Sequence, residues 1–118
     1  MNQLDMQGRG AIVTGGAAGI GYAIAQRLAA SGARVSLWDR DASALQAAVK
    51  SLGANTHTHV LDVTSEDEVA GACEASIKAL GRVDALVCSA GITGPNTTVQ
   101  QYPVAAWKEV LEINLTGV

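Results

Sequence analysis

The stretch Thr14-Gly15-Gly16-Ala17-Ala18-Gly19-Ile20-Gly21 decides the fold of this chain. It follows a short apolar run at residues 11–13 and opens a helical pattern in which Ile20, Ile24 and Leu28 recur at every fourth position. Glycines between a strand and a helix let the backbone turn sharply and approach a phosphate, and the free N–H groups of the helix N-terminus favour negative charge. The order of strand, glycine turn and helix therefore indicates a nucleotide-binding βαβ unit.

Apolar strand patterns alternate with helical patterns along the rest of the chain. After the first strand, strands are predicted at residues 34–39, 56–61 and 83–88. Asp41 is predicted to cap the second helix, and Ser65 with Glu68 forms a capping-box pattern at the third. The third helix is predicted to bury Val69, Cys73, Ile77 and Leu80. This alternation predicts an α/β fold, a doubly wound parallel sheet of the Rossmann type with strand order 3-2-1-4, of which the chain holds the first half.

Composition excludes several classes of function. The 118 residues carry a net charge of −3 with no basic run, which argues against nucleic-acid binding. No window approaches the roughly 20 apolar residues of a membrane span, and the first ten residues lack a signal-peptide pattern. Two cysteines form no disulfide framework, so we expect a cytoplasmic protein. His57 and His59 are expected as exposed strand residues without metal, and Cys88 as a small core residue.

Asp39 ends the second predicted strand, 18 residues after Gly21. A carboxylate at this place accepts hydrogen bonds from the ribose hydroxyls of a dinucleotide and repels a 2′-phosphate. The glycine turn alone also fits other α/β proteins, and Asp39 alone fits a solvated strand end or a helix cap. The strand, the turn, the helix and the acidic residue in register favour a dinucleotide site.

These motifs resemble the short-chain dehydrogenase/reductase family, and the resemblance extends along the whole chain. Asp62 and Val63 are similar to the family's pair after the third strand, which implies that Asp62 contacts the adenine and Val63 packs on it. The match to the family's cofactor turn consists of Gly15, Gly19, Ile20 and Gly21. The resemblance implies an oxidoreductase that binds a nicotinamide dinucleotide.

Two further motifs carry the resemblance, one of them with a departure. Cys88-Ser89-Ala90-Gly91 stands where the family usually has Asn-Asn-Ala-Gly. The resemblance implies that Ser89, Ala90 and Gly91 border the cofactor, but the two amide side chains of the family are replaced here by a thiol and a hydroxyl. Asn114 is similar to the asparagine of the family's catalytic tetrad. The alternative interpretation is that Asn114 is an ordinary residue in the interior of a helix.

Two residues indicate NAD and one indicates NADP. Family members that prefer the phosphorylated cofactor tend to have a basic residue where this chain has Ala18, and Asp39 also favours NAD. Arg40 is included among the cofactor-binding candidates, since a guanidinium can bind a 2′-phosphate. We expect the repulsion by the carboxylate to prevail, and therefore predict NAD(H) as the cofactor.

The family's catalytic Tyr-x-x-x-Lys pair and the serine before it have no counterpart in this sequence. Tyr22 is followed four positions later by Gln26, and Tyr102 by Ala106. We therefore expect residues 1–118 to be the NAD(P)-binding domain of a longer enzyme that interconverts a secondary alcohol and a ketone. Two alternatives stay open, a complete non-catalytic binding or assembly module and an unrelated nucleotide-binding α/β domain.

The end of the chain leaves apolar positions without an evident partner. After a loop at residues 91–103, the last helical pattern includes Trp107 and Leu115, and the fourth strand would form a sheet edge. Exposed edges invite pairing with other chains. In the related family this helix commonly packs against a second subunit, so we expect a homo-oligomer, or aggregation of the isolated chain.

Overall fold

Four parallel strands form the centre of the protein in the computed structural model, which describes residues 4–118. The strands are β1 (Gly10–Thr14), β2 (Arg34–Asp39), β3 (His57–Val60) and β4 (Ala85–Cys88). Their order in the sheet is β3-β2-β1-β4, and every pair is parallel. The predicted Rossmann-type order is confirmed. The first three residues of the predicted domain lie outside the described part of the chain.

Helices connect the strands. They are α1 (Gly19–Ala30), α2 (Ala42–Leu52), α3 (Glu66–Leu80) and α4 (Val104–Leu111), with a 3₁₀ turn at Val99–Gln101 and a π turn at Glu112–Thr116. Asp41 caps α2 by accepting a hydrogen bond from the Ala44 N–H at 3.0 Å. Ser65 caps α3 through the Glu68 N–H, as predicted, whereas its own N–H donates to the Asp62 carbonyl. None of the helices within residues 4–118 is long and apolar enough for a bilayer span.

The two faces of the sheet have different cores. Val13, Leu37 and Leu45 are almost completely buried on the face that α1 and α2 cover. On the opposite face α3 covers a smaller cluster that includes Ile12 and Trp38. Alternation along β2 produces this division, because successive strand side chains point to opposite sides of the sheet. Helices on both faces confirm the doubly wound arrangement.

The prediction for the buried face of α3 is wrong in part. The residues fully buried on this helix are Ala72, Ser76 and Leu80, whereas the Ile77 side chain is 48% exposed. Val69 and Cys73 pack only at the border of the cluster. Alanine and serine at every fourth position let the helix lie close to the sheet, and that close approach decides which face is buried.

Strands β3 and β4 are also shorter than predicted. At the start of β4, the Asp84 carboxylate accepts a hydrogen bond from the Gly10 N–H at 2.9 Å, and the Asp84 N–H donates to the Gly10 carbonyl at 2.8 Å. A side chain therefore takes a donor that would otherwise extend the β1–β4 ladder. Arg82 forms an ion pair with the same carboxylate.

Gly10 provides a test of the packing between β1 and the end of α3. A Cβ at this buried position would lie 1.9 Å from the Arg82 carbonyl oxygen. We expect Gly10→Ala to lower the free energy of unfolding by about 2 kcal/mol or more, because the backbone must move to relieve the overlap. Urea denaturation followed by circular dichroism measures the change.

Gly71→Ala is the matched control. Gly71 lies within α3, and no atom other than its chain neighbours and the backbone of its own helix comes within 4 Å of the place that its Cβ would take. Because alanine is the better helix former, this substitution should raise the free energy of unfolding by about 0.5–1 kcal/mol. Equal effects of the two substitutions would contradict the close approach at Gly10.

Candidate functional site

A cavity of about 330 Å³ opens where the carboxyl ends of the strands meet. Ligands of open α/β sheets bind in this region, outside the ends of the strands. Ten of the eleven predicted cofactor-binding residues line it, namely Gly15, Ile20, Gly21, Asp39, Arg40, Asp62, Val63, Ser89, Ala90 and Gly91. Gly19 is in the same turn but does not line the cavity. The structure thus brings the candidates together, and their role toward a cofactor stays a prediction.

The glycine turn is too tightly packed for side chains at three of its positions, Gly15, Gly16 and Gly21. Gly15 has a φ of +62°, and a Cβ there would lie 2.8 Å from the Ser89 carbonyl oxygen. A Cβ at Gly21 would lie 2.3 Å from the Gly15 carbonyl oxygen. Gly19 has a φ of +59° but open space around it. The turn therefore brings backbone, rather than side chains, to the floor of the cavity.

Thr14 links this turn to the end of β4. Its Oγ1 accepts hydrogen bonds from the N–H groups of Ser89 and Ala90, both at 3.1 Å. The backbone after β4 is thus fixed without the amide side chains usual in the resembled family. Cys88, predicted as a core residue, is exposed instead, because β4 is an edge strand in the described residues.

The N-terminus of α1 has open backbone donors beside the cavity. Ala18 occupies the N-cap position without a side-chain hydrogen bond, and the first turn contains no acidic residue. N–H groups in the first turn of a helix have no intrahelical partner and attract anions. Ile20 lies at this helix end, lines the cavity and is 76% exposed, so it does not belong to the buried stripe of α1.

The Asp39 carboxylate is held against the glycine turn. Its Oδ2 accepts a hydrogen bond from the Ala17 N–H at 3.2 Å, and its Oδ1 accepts one from the Asp41 N–H at 3.1 Å. Each carboxylate oxygen has a further lone pair for a ligand hydroxyl. Asp39 thus both stabilises the turn and presents negative charge to the cavity.

Asp62 is a second fixed carboxylate at the cavity. Hydrogen bonds from the Thr64 hydroxyl (2.7 Å) and the Thr64 N–H (2.9 Å) both end on Oδ1. These bonds, with a smaller contribution from the positive charge of Arg40, lower the pKa of Asp62 below its ordinary value. The group is therefore ionised at neutral pH, and its Oδ2 remains available to a ligand donor.

Asn114 does not line the cavity, but fixes a residue that does. Its Nδ2 donates to the Ile92 carbonyl and its Oδ1 accepts from the Ile92 N–H, both at 2.8 Å. The π turn Glu112–Thr116 contains Asn114, and its neighbour Ile113 lines the cavity with Ile92. In the described residues Asn114 is a clamp on the loop after β4, and its predicted catalytic role stays a prediction.

Five residues of the cavity wall were not among the predicted cofactor-binding residues. They are Ala18, Trp38, Leu61, Ile92 and Ile113. Each is adjacent in sequence to a residue that the motifs did identify. Adjacency to a motif residue is therefore the sequence feature from which these positions could have been predicted. Their side chains are apolar or small, and no chemical pattern marked them.

The histidines of β3 differ from the prediction of two exposed strand residues. His57 is half-buried, and its Nδ1 lies 2.7 Å from the Ser36 hydroxyl. The rings of His57 and His59 are 6.5 Å apart between centroids. Over residues 4–118, no three His, Cys, Asp or Glu side chains come together as a metal site.

The cavity has the features that a dinucleotide requires. Backbone without Cβ atoms at Gly15 and Gly21 leaves room for a pyrophosphate, and the α1 N-terminus offers donors to it. The carboxylates of Asp39 and Asp62 supply acceptors for ribose hydroxyls and an exocyclic amine. The residues present therefore fit such a group.

Comparison with known proteins agrees with this geometry. A family model described as short chain dehydrogenase matches residues 9–118. A 2-dehydro-3-deoxy-L-rhamnonate dehydrogenase (NAD(+)) of Sphingomonas sp. (strain SKA58) is 48% identical over 110 residues, which are 93% of this chain and 44% of that protein. The chain thus spans less than half the length of this curated relative.

Solved structures resemble the fold closely. A 3-ketoacyl-(acyl-carrier-protein) reductase from Brucella melitensis complexed with NADH has a TM-score of 0.92 at 29% identity, over 97% of this chain and 47% of that one. An actinorhodin polyketide ketoreductase with NADPH has a TM-score of 0.87 at 35% identity, over 92% of this chain and 42% of that one. The first of these two structures contains NADH, and the second contains NADPH.

The clamp by Asn114 is testable through the amide of Ile92. We expect Asn114→Ala to speed hydrogen exchange of the Ile92 N–H by about fivefold or more, the effect of losing one hydrogen bond of about 1 kcal/mol. Amide exchange measured by NMR gives this rate.

Asn114→Asp is the matched control, because a carboxylate can still accept from the Ile92 N–H but cannot donate to its carbonyl. It should restore much of the protection at Ile92. Unchanged exchange in Asn114→Ala would show that the loop is held by other contacts.

Proposed function

The chain belongs to the short-chain dehydrogenase family, and from this we propose that it forms the NAD-binding part of an oxidoreductase acting on a secondary alcohol or ketone. Membership rests on the match over residues 9–118. Membership in this family excludes the alternative that the chain is an unrelated nucleotide-binding α/β domain. Because the chain spans half or less of the length of the curated relatives that it matches, the activity of the whole protein is a proposal.

The observation that carries the proposal is the cavity at the strand ends. It combines backbone donors at α1, a turn without side chains at Gly15 and Gly21, and the two carboxylates Asp39 and Asp62. When bound there, the nicotinamide would supply the hydride-transfer chemistry of the family. The described residues would bind and orient that group, the turn through its phosphates and Asp39 through its ribose.

Electrostatics supports NAD rather than NADP as the cofactor. Of the ionisable side chains that line the cavity, Asp39 and Asp62 are acidic and Arg40 is basic, which leaves an excess of negative charge. A 2′-phosphate carries about −1.5 to −2 charge at neutral pH, so the two carboxylates disfavour it. The Asp39 carboxylate is also fixed by the Ala17 N–H, and cannot swing away without losing that bond.

Catalysis requires groups that residues 1–118 do not supply at the family spacing. Neither Tyr22 nor Tyr102 has a lysine four positions later. We propose that the serine, tyrosine and lysine follow Val118 in a longer protein, with Asn114 completing the set. A non-catalytic binding or assembly module stays the second candidate. The observation in its favour is that neither Tyr22 nor Tyr102 has a lysine at the family spacing.

The remaining features of the whole protein are proposed on weaker grounds. The substrate is a small alcohol or ketone, since the relative at 48% identity is named for a sugar-acid derivative. A homo-oligomer would cover exposed apolar residues of α4 such as Trp107, which is 58% exposed. A cytoplasmic location is proposed because the cysteines Cys73 and Cys88 are both free.

Cofactor choice is tested by titration of the protein with NADH and NADPH. We expect NADH to bind at least about tenfold more tightly, which corresponds to about 1.4 kcal/mol. Asp39→Ala should weaken NADH binding by about tenfold or more, since a hydrogen bond to a charged group contributes about 1.5–3 kcal/mol. The same substitution should reduce the difference in binding affinity between NADH and NADPH. Fluorescence of bound NADH and NADPH provides both affinities.

Asp41→Ala is the control, because it removes a neighbouring carboxylate that caps α2 and does not line the cavity. Its cofactor preference should equal that of the unaltered protein. Asp62→Ala should weaken both cofactors together, since the adenine is common to them. Tighter binding of NADPH to the unaltered protein would overturn the assignment of NAD.

The size of the natural protein distinguishes the two candidate functions. The chain accounts for 12.0 kDa. We expect mass spectrometry of the protein from its natural source to give about twice that mass or more, as for a complete domain with further strands. An NAD-linked screen of polyols, sugar acids and hydroxyacyl compounds would then identify the substrate. A natural mass near 12.0 kDa would instead support the binding module.

A further inference from the structure

Four polar side chains form a connected row in the core under α3. The Trp38 Nε1–H donates to the Ser76 hydroxyl at 2.9 Å, the Ser76 and Ser36 hydroxyls are 2.9 Å apart, and the Ser36 hydroxyl lies 2.7 Å from His57 Nδ1. Ser36 and Ser76 are completely buried. None of the sequence motifs identified this row, which we call the Trp38–His57 row.

The direction of the protons in this row follows from counting donors. The indole of Trp38 can only donate, so Ser76 accepts from it. The Ser76 hydroxyl proton then goes to Ser36, and the Ser36 proton goes to His57 Nδ1. This arrangement uses every hydroxyl proton of the row, and it requires an unprotonated Nδ1, that is, a neutral His57.

Protonation of His57 disturbs this arrangement. A doubly protonated imidazole donates from Nδ1, so the Ser36 hydroxyl must turn toward Ser76. Ser76 would then accept from both Trp38 and Ser36 and have no acceptor in the row for its own proton. An unsatisfied buried donor is costly, and hydrogen bonds in a row strengthen one another, so the loss extends to the Trp38 bond.

Trp38 connects the row to the cofactor cavity. It lines the cavity, and its carbonyl accepts a hydrogen bond from the Gly16 N–H of the glycine turn at 3.2 Å. The next residue is Asp39, which holds the Ala17 N–H of the same turn. The end of β2 therefore holds the glycine turn through the Trp38 carbonyl and the Asp39 carboxylate. The Trp38 indole in turn fixes this end of β2 to α3.

We propose that Ser76 and His57 are positioning residues for the cofactor cavity, which hold Trp38 and the end of β2 through the row, so that protonation of His57 weakens cofactor binding. The inference rests on the proposed binding of NAD. Neither residue lines the cavity, and both act through Trp38.

The surroundings of His57 agree with a neutral ring at neutral pH. Burial, and then the charge of His59, lower the pKa of His57 below its ordinary value of 6.5. A group with a lowered pKa in the folded protein contributes stability above pH 6.5, and that contribution is lost as the pH falls through its folded value. The other titratable groups on the elements packed against β3 are Arg34 and Asp39 on β2, Lys50 on α2, and Glu66, Asp67, Glu68, Cys73, Glu74 and Lys78 on α3.

The dissociation constant of NADH, measured from about pH 7.5 to about pH 5, tests the proposal. Affinity should fall by about fivefold over this range, the effect of one hydrogen bond on an equilibrium. His57→Asn retains a neutral acceptor and does not titrate, so its affinity should be normal at neutral pH and nearly independent of pH. His57→Leu removes the acceptor and should bind weakly at every pH, so rescue by asparagine separates this role from simple packing.

His59→Asn is the matched control. It removes the second histidine of the same strand face and should keep the fall in affinity, which would begin at a higher pH because the charge of His59 is gone. Ser76→Ala should weaken NADH binding at neutral pH. If Ser76→Ala does not fold, the His57 variants still decide the proposal. We expect these variants to fold because the His57 side chain is only half-buried.

A second measurement needs no cofactor. The indole N–H resonance of Trp38 in NMR spectra should shift as His57 titrates, and should not shift in His57→Asn. Trp107 serves as an internal reference, since it is 58% exposed and outside the row.

The outcomes separate this inference from the proposed function. Absence of NADH binding by the unaltered protein at every pH overturns the proposed function and the inference with it. NADH binding that does not change with pH, or whose pH dependence persists in His57→Asn, overturns the inference alone. A shift of the Trp38 resonance together with a fall in affinity, both absent in His57→Asn, supports it.

Discussion

The close approach of the glycine turn to the backbone after β4 is the constraint on which the site depends. At Gly15 a side chain would collide with the Ser89 carbonyl, while Thr14 accepts hydrogen bonds from Ser89 and Ala90. This contact joins the central strand β1 to the strand beside it, and so fixes the floor of the cavity. The position of Asp39 relative to the turn follows from a second contact, the pairing of β1 with β2, and from the hydrogen bond between the Ala17 N–H and Asp39.

The strand order and the local features of the site could be predicted from the sequence, and side-chain hydrogen bonds between distant residues could not. The turn at Gly15 and Gly21 and the carboxylate at Asp39 follow strand and helix patterns within about two dozen residues, so their positions result from one βαβ unit. The hydrogen bonds of Ser36 with His57 and Ser76 span 21 and 40 residues. Isolated serines and a histidine carry no periodic signal, so only the packed structure brings them together.

The wrong prediction for α3 has a physical origin in the core beneath it. Helical spacing predicts that Ile77 is buried, because apolar side chains at that spacing usually face the core. In α3 the buried positions Ala72 and Ser76 are small, and the hydroxyl of Ser76 is needed as the partner of the Trp38 indole. A buried tryptophan N–H requires an acceptor, and Ser76 supplies it from the buried face of α3, whereas Ile77 lies outside that face.

Strand β4 has two separate roles, one at its carboxyl end and one along its outer edge. Its carboxyl end leads into Ser89 and Ala90, which line the cavity and are fixed by the Thr14 hydroxyl. Its outer edge pairs with no other described strand, and Leu86 on it is 60% exposed. An unpaired apolar edge is where further chain or a second protein gains most by packing. The cavity and the exposed edge therefore lie at different parts of one strand, and only the cavity is lined by residues that the sequence motifs identified.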